Sequence, residues 1–272
     1  MRKLTTCRDK TVLVTGASSG VGRGLAVRFA REGARAVALV ARREAQLADV
    51  AREVEALGAR ALVLPCDVAD RAAVLATAQT ALAELGAIDV LVNNAGYGHH
   101  RKFLDWDLGD MERMLRVNFL GTLYWTKALL PQMVERRQGW IVFVASVGGK
   151  LGVPEESAYA ASKSAMVGFA EALSLEVEDA GVHLLTVCPG TVRTDFFDAE
   201  ALARMPPISR RIMIEPEVLV DAIFRALARG KREITVPWFL SSAYVVRAIA
   251  PGFLRRNTQR STLGAQTKPP RA

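Results

Sequence analysis

Ser146, Tyr159 and Lys163 are the residues of this chain whose types and spacing best suit acid–base chemistry. Tyr159 and Lys163 stand four apart in Tyr159-Ala160-Ala161-Ser162-Lys163, which begins a helical pattern running towards Asp179; residues i and i+4 share a helix face. A free phenol titrates near pH ~10, so proton transfer near neutrality calls for a neighbouring cation that favours phenolate, and Lys163 would supply it. Ser146 follows an apolar run and would hydrogen-bond a substrate oxygen on which negative charge develops. Asn118, in the long helical pattern upstream, would hold a water against Lys163 for proton relay. A lone Tyr–Lys pair is usually just an exposed helix pair; its place behind a strand-end serine gives this one weight.

A second constellation suits phosphate binding. Thr15-Gly16-Ala17-Ser18-Ser19-Gly20-Val21-Gly22 ends an apolar run, and Arg23 to Arg31 then read as a helix closing at Gly33. Glycines let a backbone turn approach a pyrophosphate, and the amides and dipole at a helix start stabilise its charge. Gly16, Ser18, Ser19, Gly20, Val21 and Gly22 are the expected contacts. At the end of the next apolar run stand Ala41, Arg42 and Arg43, where an acid would hydrogen-bond the ribose of NAD. Guanidinium groups there suit the 2′-phosphate of NADP instead.

These groups need a scaffold that brings separate segments to one edge. Apolar, β-branched runs at 11–15, 36–41, 61–66, 88–92, 140–145, 182–188 and 233–237 alternate with longer helical patterns. Runs apolar on both faces belong in a parallel sheet covered by helices on each side. The expected architecture is a doubly wound parallel α/β sheet of about seven strands, a Rossmann fold in a single domain. Residues 1–9 read as a lead-in, 10–237 as the nucleotide-binding domain, and 238–272 as an apolar, then basic, extension. From about residue 257 the tail is polar and without periodicity, and reads as flexible.

Composition agrees with a globular protein. Half of the 272 residues are hydrophobic and 24% charged, which excludes disorder, collagen and a disulfide-stapled miniprotein. Cys7, Cys66 and Cys188 form no CxxC pair, giving neither a disulfide framework nor a zinc site, and fit a reducing, cytoplasmic compartment. The basic N-terminus lacks the apolar stretch of a signal peptide. The formal net charge is +8, but beyond Glu233 no acid remains while six basic residues do, so residues 1–233 carry only +2. A nearly neutral body argues against nucleic acid as a partner.

The motifs in their order resemble the short-chain dehydrogenase/reductase family over about residues 8–237. Thr15 to Gly22 is similar to its TGxxxGxG turn, and Cys66-Asp67-Val68 to the segment whose Asp contacts adenine. Asn93-Asn94-Ala95-Gly96 matches the NNAG signature that steadies the sheet beside the cofactor. Asn118, Ser146, Tyr159 and Lys163 fall where the family places its catalytic tetrad. Pro189, Gly190, Val192 and Thr194 lie in a segment resembling the one that holds the nicotinamide carboxamide. The resemblance implies NADPH-dependent carbonyl reduction, or the reverse alcohol oxidation, and a homodimer or homotetramer formed through helices at 108–137 and 159–179. A 3-oxoacyl-carrier-protein reductase is the nearest alternative enzyme: Arg101, Lys102, Arg136 and Arg137 would dock an acidic carrier, whereas Glu171, Glu176, Glu178 and Asp179 oppose it. A non-catalytic NADP-binding sensor is the rival class, and it has no chemical need for the full tetrad.

The substrate side is less defined. Residues 195–215 carry Phe196, Phe197, Leu202, Met205, Ile208, Met213 and Ile214 where the family has a lid, and an apolar substrate would fit beneath it. Residues 97–106, with His99 and His100, should flank the same mouth; a histidine pair without a third ligand is read as loop contacts, and no metal is expected. The extension is apolar with a basic edge from Trp238 to Arg256. It reads as a helix packed on protein, with peripheral membrane contact as the alternative.

Overall fold

The computed structural model describes residues 2–194, 196, 205 and 207–263, with no side-chain description at 207, 208 and 261–263. Seven strands, β1 (Thr11–Thr15), β2 (Ala36–Ala41), β3 (Arg60–Pro65), β4 (Val90–Asn93), β5 (Gly139–Val144), β6 (Val182–Pro189) and β7 (Glu233–Val236), form one sheet. Every pairing is parallel. Their order is β3-β2-β1-β4-β5-β6-β7, so the winding reverses between β1 and β4 and opens a crevice at the carboxyl ends there.

The two-faced apolarity of the strands has a direct outlet. Val12, Val14, Val37, Leu39, Val142 and Leu185 point into one core, shared with α1 (Gly20–Arg31), α2 (Glu44–Ala56) and α8 (Pro216–Arg229). Leu13, Val40, Leu91, Ile141, Phe143 and Leu184 point into the other, filled by α3 (Arg71–Leu85), α5 (Gly121–Glu135) and α6 (Ser157–Val177). Alternate residues of one strand serve opposite cores, which a sheet sandwiched by helices requires. The lead-in is docked rather than loose: Leu4 and Cys7 are buried, and the Leu4 N–H donates to the Leu227 carbonyl at 3.0 Å.

Three expectations are corrected or refined. The helix after the glycine turn begins at Gly20, so Gly20, Val21 and Gly22 lie inside its first turn. The long helix expected over 108–137 runs from α4 (Leu108–Leu115) into α5 through a π-helical turn, Arg116–Leu120, which contains Asn118. The tail continues beyond residue 257 as helix. After α7 (Pro207–Arg211) and α8, the extension forms α9 (Ser242–Ile249) and α10 (Pro251–Leu263). In α10, Leu254 and Thr258 stand one turn apart and are the half-buried residues among the described side chains, 251–260, which are otherwise exposed. The extension rests on the body through Arg247, which donates to the Lys150 carbonyl, and Tyr244, whose ring lies 5.2 Å from Lys150 Nζ.

Candidate active site

The glycine turn is locked to the loop after β4 by one hydroxyl. Thr15 Oγ1 donates to the Val92 carbonyl and accepts from the Asn94 and Ala95 N–H groups, each at 3.0 Å, while Asn94 Nδ2 donates to the Thr15 carbonyl at 3.0 Å. Close approach explains the glycines. A Cβ on Gly22 would lie 2.1 Å from the Gly16 carbonyl oxygen, and one on Gly16, itself at φ 67°, would lie 2.8 Å from Asn94 Nδ2. The Ser19 side chain does not cap α1, so first-turn amides remain turned to the crevice.

A cleft of about 660 Å³ runs along this edge, lined by Gly16, Ser18, Ser19, Gly20, Val21, Arg42, Asp67, Val68, Asn94, Ala95 and Gly96, and on towards Pro189, Gly190, Val192 and Thr194. Every expected cofactor contact except Gly22 lines it; Gly22 is buried behind the turn. Two arginines also belong to it. Arg43 Nη2 donates to the hydroxyls of Ser18 (3.1 Å) and Ser19 (3.2 Å), so the neighbour of Arg42 is the one that touches the turn. Arg113, which the sequence did not single out, binds Asp67 Oδ2 at 2.8 Å. Burial works to raise the Asp67 carboxyl, but the Ala69 N–H and the Arg113 guanidinium outweigh it and hold it below the usual carboxylate range. The cleft suits a dinucleotide: backbone without side chains, an uncapped helix start and guanidinium groups offer what phosphates need.

At the far end of the cleft the acid–base residues come together. Ser146 Oγ accepts from the Gly148 N–H at 2.9 Å and shares a hydrogen bond with the Tyr159 hydroxyl. Lys163, 3% exposed, donates to the Val144 carbonyl at 2.9 Å and lies 5.9 Å from the Tyr159 ring centre. Burial pushes Tyr159 above its ordinary range despite the Ser146 bond, and pulls Lys163 down to about 8. This corrects the expectation that the ammonium acidifies the phenol: desolvation disfavours both charged forms and dominates.

Asn118 is fully buried. Its Oδ1 accepts from the Tyr97 N–H at 2.9 Å, and Nδ2 donates to the Tyr97 carbonyl (2.9 Å) and Ser162 Oγ (3.0 Å). Both amide protons are therefore used in clamping the 97 loop to α6; Oδ1 accepts the Tyr97 N–H and the main-chain oxygen accepts the Thr122 hydroxyl at 3.3 Å, so the expected water would take a remaining lone pair. Gly96 sits between the two polar groups, since a Cβ there would be 3.1 Å from Asn118 Oδ1 and 3.3 Å from Lys163 Nζ.

A smaller cavity of about 230 Å³ opens on the other side of Ser146 and Tyr159, which line both spaces. Its walls include Val147, Val153, Phe196, Met205, Ile212 and Leu240, with Thr258 from α10. Phe196 and Met205 of the expected lid thus reach it; Phe197, Leu202 and the Ile208 side chain lie outside the described residues. Ile214 instead packs against the main core. Leu240 and Thr258 show that the extension walls this cavity, which composition could not reveal.

A short chain dehydrogenase family model matches residues 10–204. The ketoacyl reductase HetN of a Nostoc species is 34% identical over 86% of this chain and 80% of its own length. The oxidoreductase UcpA of Salmonella typhimurium is 41% identical over 75% of each chain, and the mouse dehydrogenase/reductase SDR family member 7B is 33% identical over 92% of this chain and 80% of its own. Among solved structures, a short-chain type dehydrogenase/reductase from Mycobacterium marinum superposes with a TM-score of 0.77 at 30% identity, covering 85% of this chain and 95% of that one. A metagenomic short-chain oxidoreductase in complex with NADP superposes at 0.71, also at 30% identity, covering 84% and 96%.

Proposed function

As a premise the chain belongs to the short-chain dehydrogenase/reductase family, oxidoreductases of CH–OH and C=O groups, and we propose that it is an NADPH-dependent reductase of apolar ketones or aldehydes. The supporting observation is that Ser146 and Tyr159 line both the cleft and the apolar cavity, where a carbonyl would meet a dinucleotide. The cleft would hold NADPH, whose chemistry when bound would be to supply a hydride to the carbonyl carbon. Gly16, Ser18, Ser19, Gly20, Val21 and the loop 94–96 would hold its phosphates and ribose, with Arg42 and Arg43 at the 2′-phosphate and Pro189 to Thr194 at the nicotinamide end.

The protein supplies the proton and the field. Ser146 donates a hydrogen bond to the carbonyl oxygen as charge grows there. Tyr159, kept protonated by burial, gives that oxygen its proton. Lys163, titrating near neutrality, restores the proton to the phenol, with a water on the Asn118 carbonyl oxygens as the link outward. Val147, Val153 and Leu240 exclude water from the substrate's apolar part.

A ketoacyl reductase is the second reading, favoured by the relative of that name. The test is NADPH consumption with ketones, aldehydes and an acyl-carrier thioester, with KM compared for NADPH and NADH. Turnover of simple ketones with a lower KM for NADPH supports the first reading. Turnover of the thioester alone supports the second, and binding of NADPH without any turnover would leave a non-catalytic sensor.

Two further contacts belong to this proposal. Homo-oligomers would form through the outer faces of α4, α5 and α6, where Leu108 and Leu175 are exposed. A peripheral membrane contact would use the exposed Trp238, Ile249 and Phe253 beside Arg255 and Arg256; no described helix is long and apolar enough to cross a membrane.

A further inference from the structure

The wall of the substrate cavity carries a polar pair that the proton transfer does not use. His100 Nε2 lies 3.0 Å from Glu156 Oε1, and the two side chains are only 11% and 16% exposed. Both face the cavity, between largely apolar neighbours. Backbone geometry holds them there. The Arg101 N–H donates to the Glu155 carbonyl at 2.9 Å, tying the loop that carries His100 to the turn that carries Glu156. Glu155 is in the left-handed region, at φ 68°, a strained conformation for a residue with a side chain. Glu156 itself occupies the position before α6, yet its carboxyl makes no capping bond to that helix. The usual structural task of an acid at that position is therefore not what places it.

Its position relative to the reacting groups is defined by Gly148. A Cβ built there would stand 3.3 Å from Ser146 Oγ, 3.3 Å from Tyr159 Cε1 and 3.6 Å from Glu156 Oε2. Oε2, the oxygen other than the one against His100, thus opens on the same small space as the serine and the phenol. A carbonyl oxygen held between Ser146 and Tyr159 would leave the adjacent carbon of the substrate in the cavity that Glu156 lines.

We propose that Glu156, oriented by His100, is a specificity-determining residue that recognises a hydroxyl on the carbon next to the reacting carbonyl. The preferred substrates are then α-hydroxy ketones or aldehydes with an apolar remainder, and vicinal diols in the reverse direction. This rests on the reading of Ser146 and Tyr159 as the groups that hold the carbonyl. A buried carboxyl needs a hydrogen-bond partner. Burial pushes Glu156 up to about 7, so carboxylate and acid are both populated near neutrality. A carboxylate only accepts and the acid also donates, whereas a hydroxyl does both and is satisfied by either state.

The matched pair α-hydroxyacetophenone and propiophenone, in which a methyl replaces the hydroxyl, tests this. With the full chain and NADPH, kcat/KM is expected to favour the hydroxy ketone by on the order of tenfold or more. Glu156→Leu should abolish that preference by slowing the hydroxy ketone while leaving propiophenone unchanged, and calorimetric titration of the protein with each ketone should show the same selective loss of affinity. Glu156→Gln, nearly isosteric and so secure against misfolding, should retain part of the preference. Equal kcat/KM for the two ketones in the unaltered protein, or a preference that survives Glu156→Leu, overturns the inference while carbonyl reduction stands. Reduction of neither ketone, nor of any other carbonyl, overturns the reductase reading and this inference with it.

Discussion

Strand ends and helix starts of the sheet supply most of the larger cleft's wall, whereas the smaller cavity beyond Tyr159 adds to the shared Ser146, Tyr159, Pro189 and Gly190 a wall from residues 98–100, from Met205, Ser209 and Ile212, and from the C-terminal extension. In the first, recognition is mainly by backbone, through glycines, amides and a helix start with little tolerance for any added atom, joined by the side chains of Arg42, Arg43 and Asp67. In the second it is by side chains projecting from segments that the sheet does not constrain. The same edge of one fold therefore combines a fixed half, suited to a common ligand, with an adjustable half that sets the substrate.

Substitutions should separate the two halves. Gly22→Ala is expected to have the largest effect on cofactor affinity, because the new methyl would meet the Gly16 carbonyl at 2.1 Å and Asn94 Nδ2 at 2.6 Å. Fluorescence titration should show NADPH affinity reduced by on the order of a hundredfold, with a lower melting temperature. Unchanged affinity would break the comparison on its fixed side. On the adjustable side, Leu240→Ala should raise KM for apolar ketones by about tenfold, the worth of one buried aliphatic side chain, while NADPH affinity stays as it was. A matching loss of NADPH affinity would show that the halves are not independent.

The smallest effect expected concerns stability. Glu156 titrates near 7 in the fold against about 4.5 in the unfolded chain, so the folded state binds the extra proton between those values. Its contribution is favourable below about pH 4.5 and is lost as pH rises through 7. Glu156→Gln should accordingly be more stable than the parent at pH ~8, by about 1–3 kcal/mol, and the gap should close as pH falls towards ~4.5. A pH-independent difference in thermal unfolding would contradict the assigned burial.

Legibility in the sequence followed the same division. Strands were readable to within about two residues because their alternate side chains feed two cores, leaving runs that are apolar throughout, such as Val37 to Val40. The glycine turn and the Ser146, Tyr159, Lys163 set were readable because their geometry is local to one strand end or one helix turn. The π-helical turn at Asn118 was not: apolar periodicity continues through Val117 and Phe119, and the turn accompanies a long-range clamp on Tyr97 and Ser162. Arg113 escaped notice because its partner Asp67 lies on a different segment. His100 was read as a loop contact at the mouth, since nothing near it in sequence announces Glu156. The raised phenol of Tyr159 was also hidden, because burial, not the neighbouring lysine, decides it.

The account depends on Tyr159 acting as the proton donor where the cofactor cleft and the smaller cavity meet. Single-turnover oxidation of bound NADPH by a reducible ketone, measured for Tyr159→Phe beside the parent, tests this most directly. The expected result is NADPH affinity within about twofold of the parent and a transfer rate lower by about 100- to 10,000-fold, the range for loss of a positioned general acid. An undiminished rate with Phe at this position would contradict it.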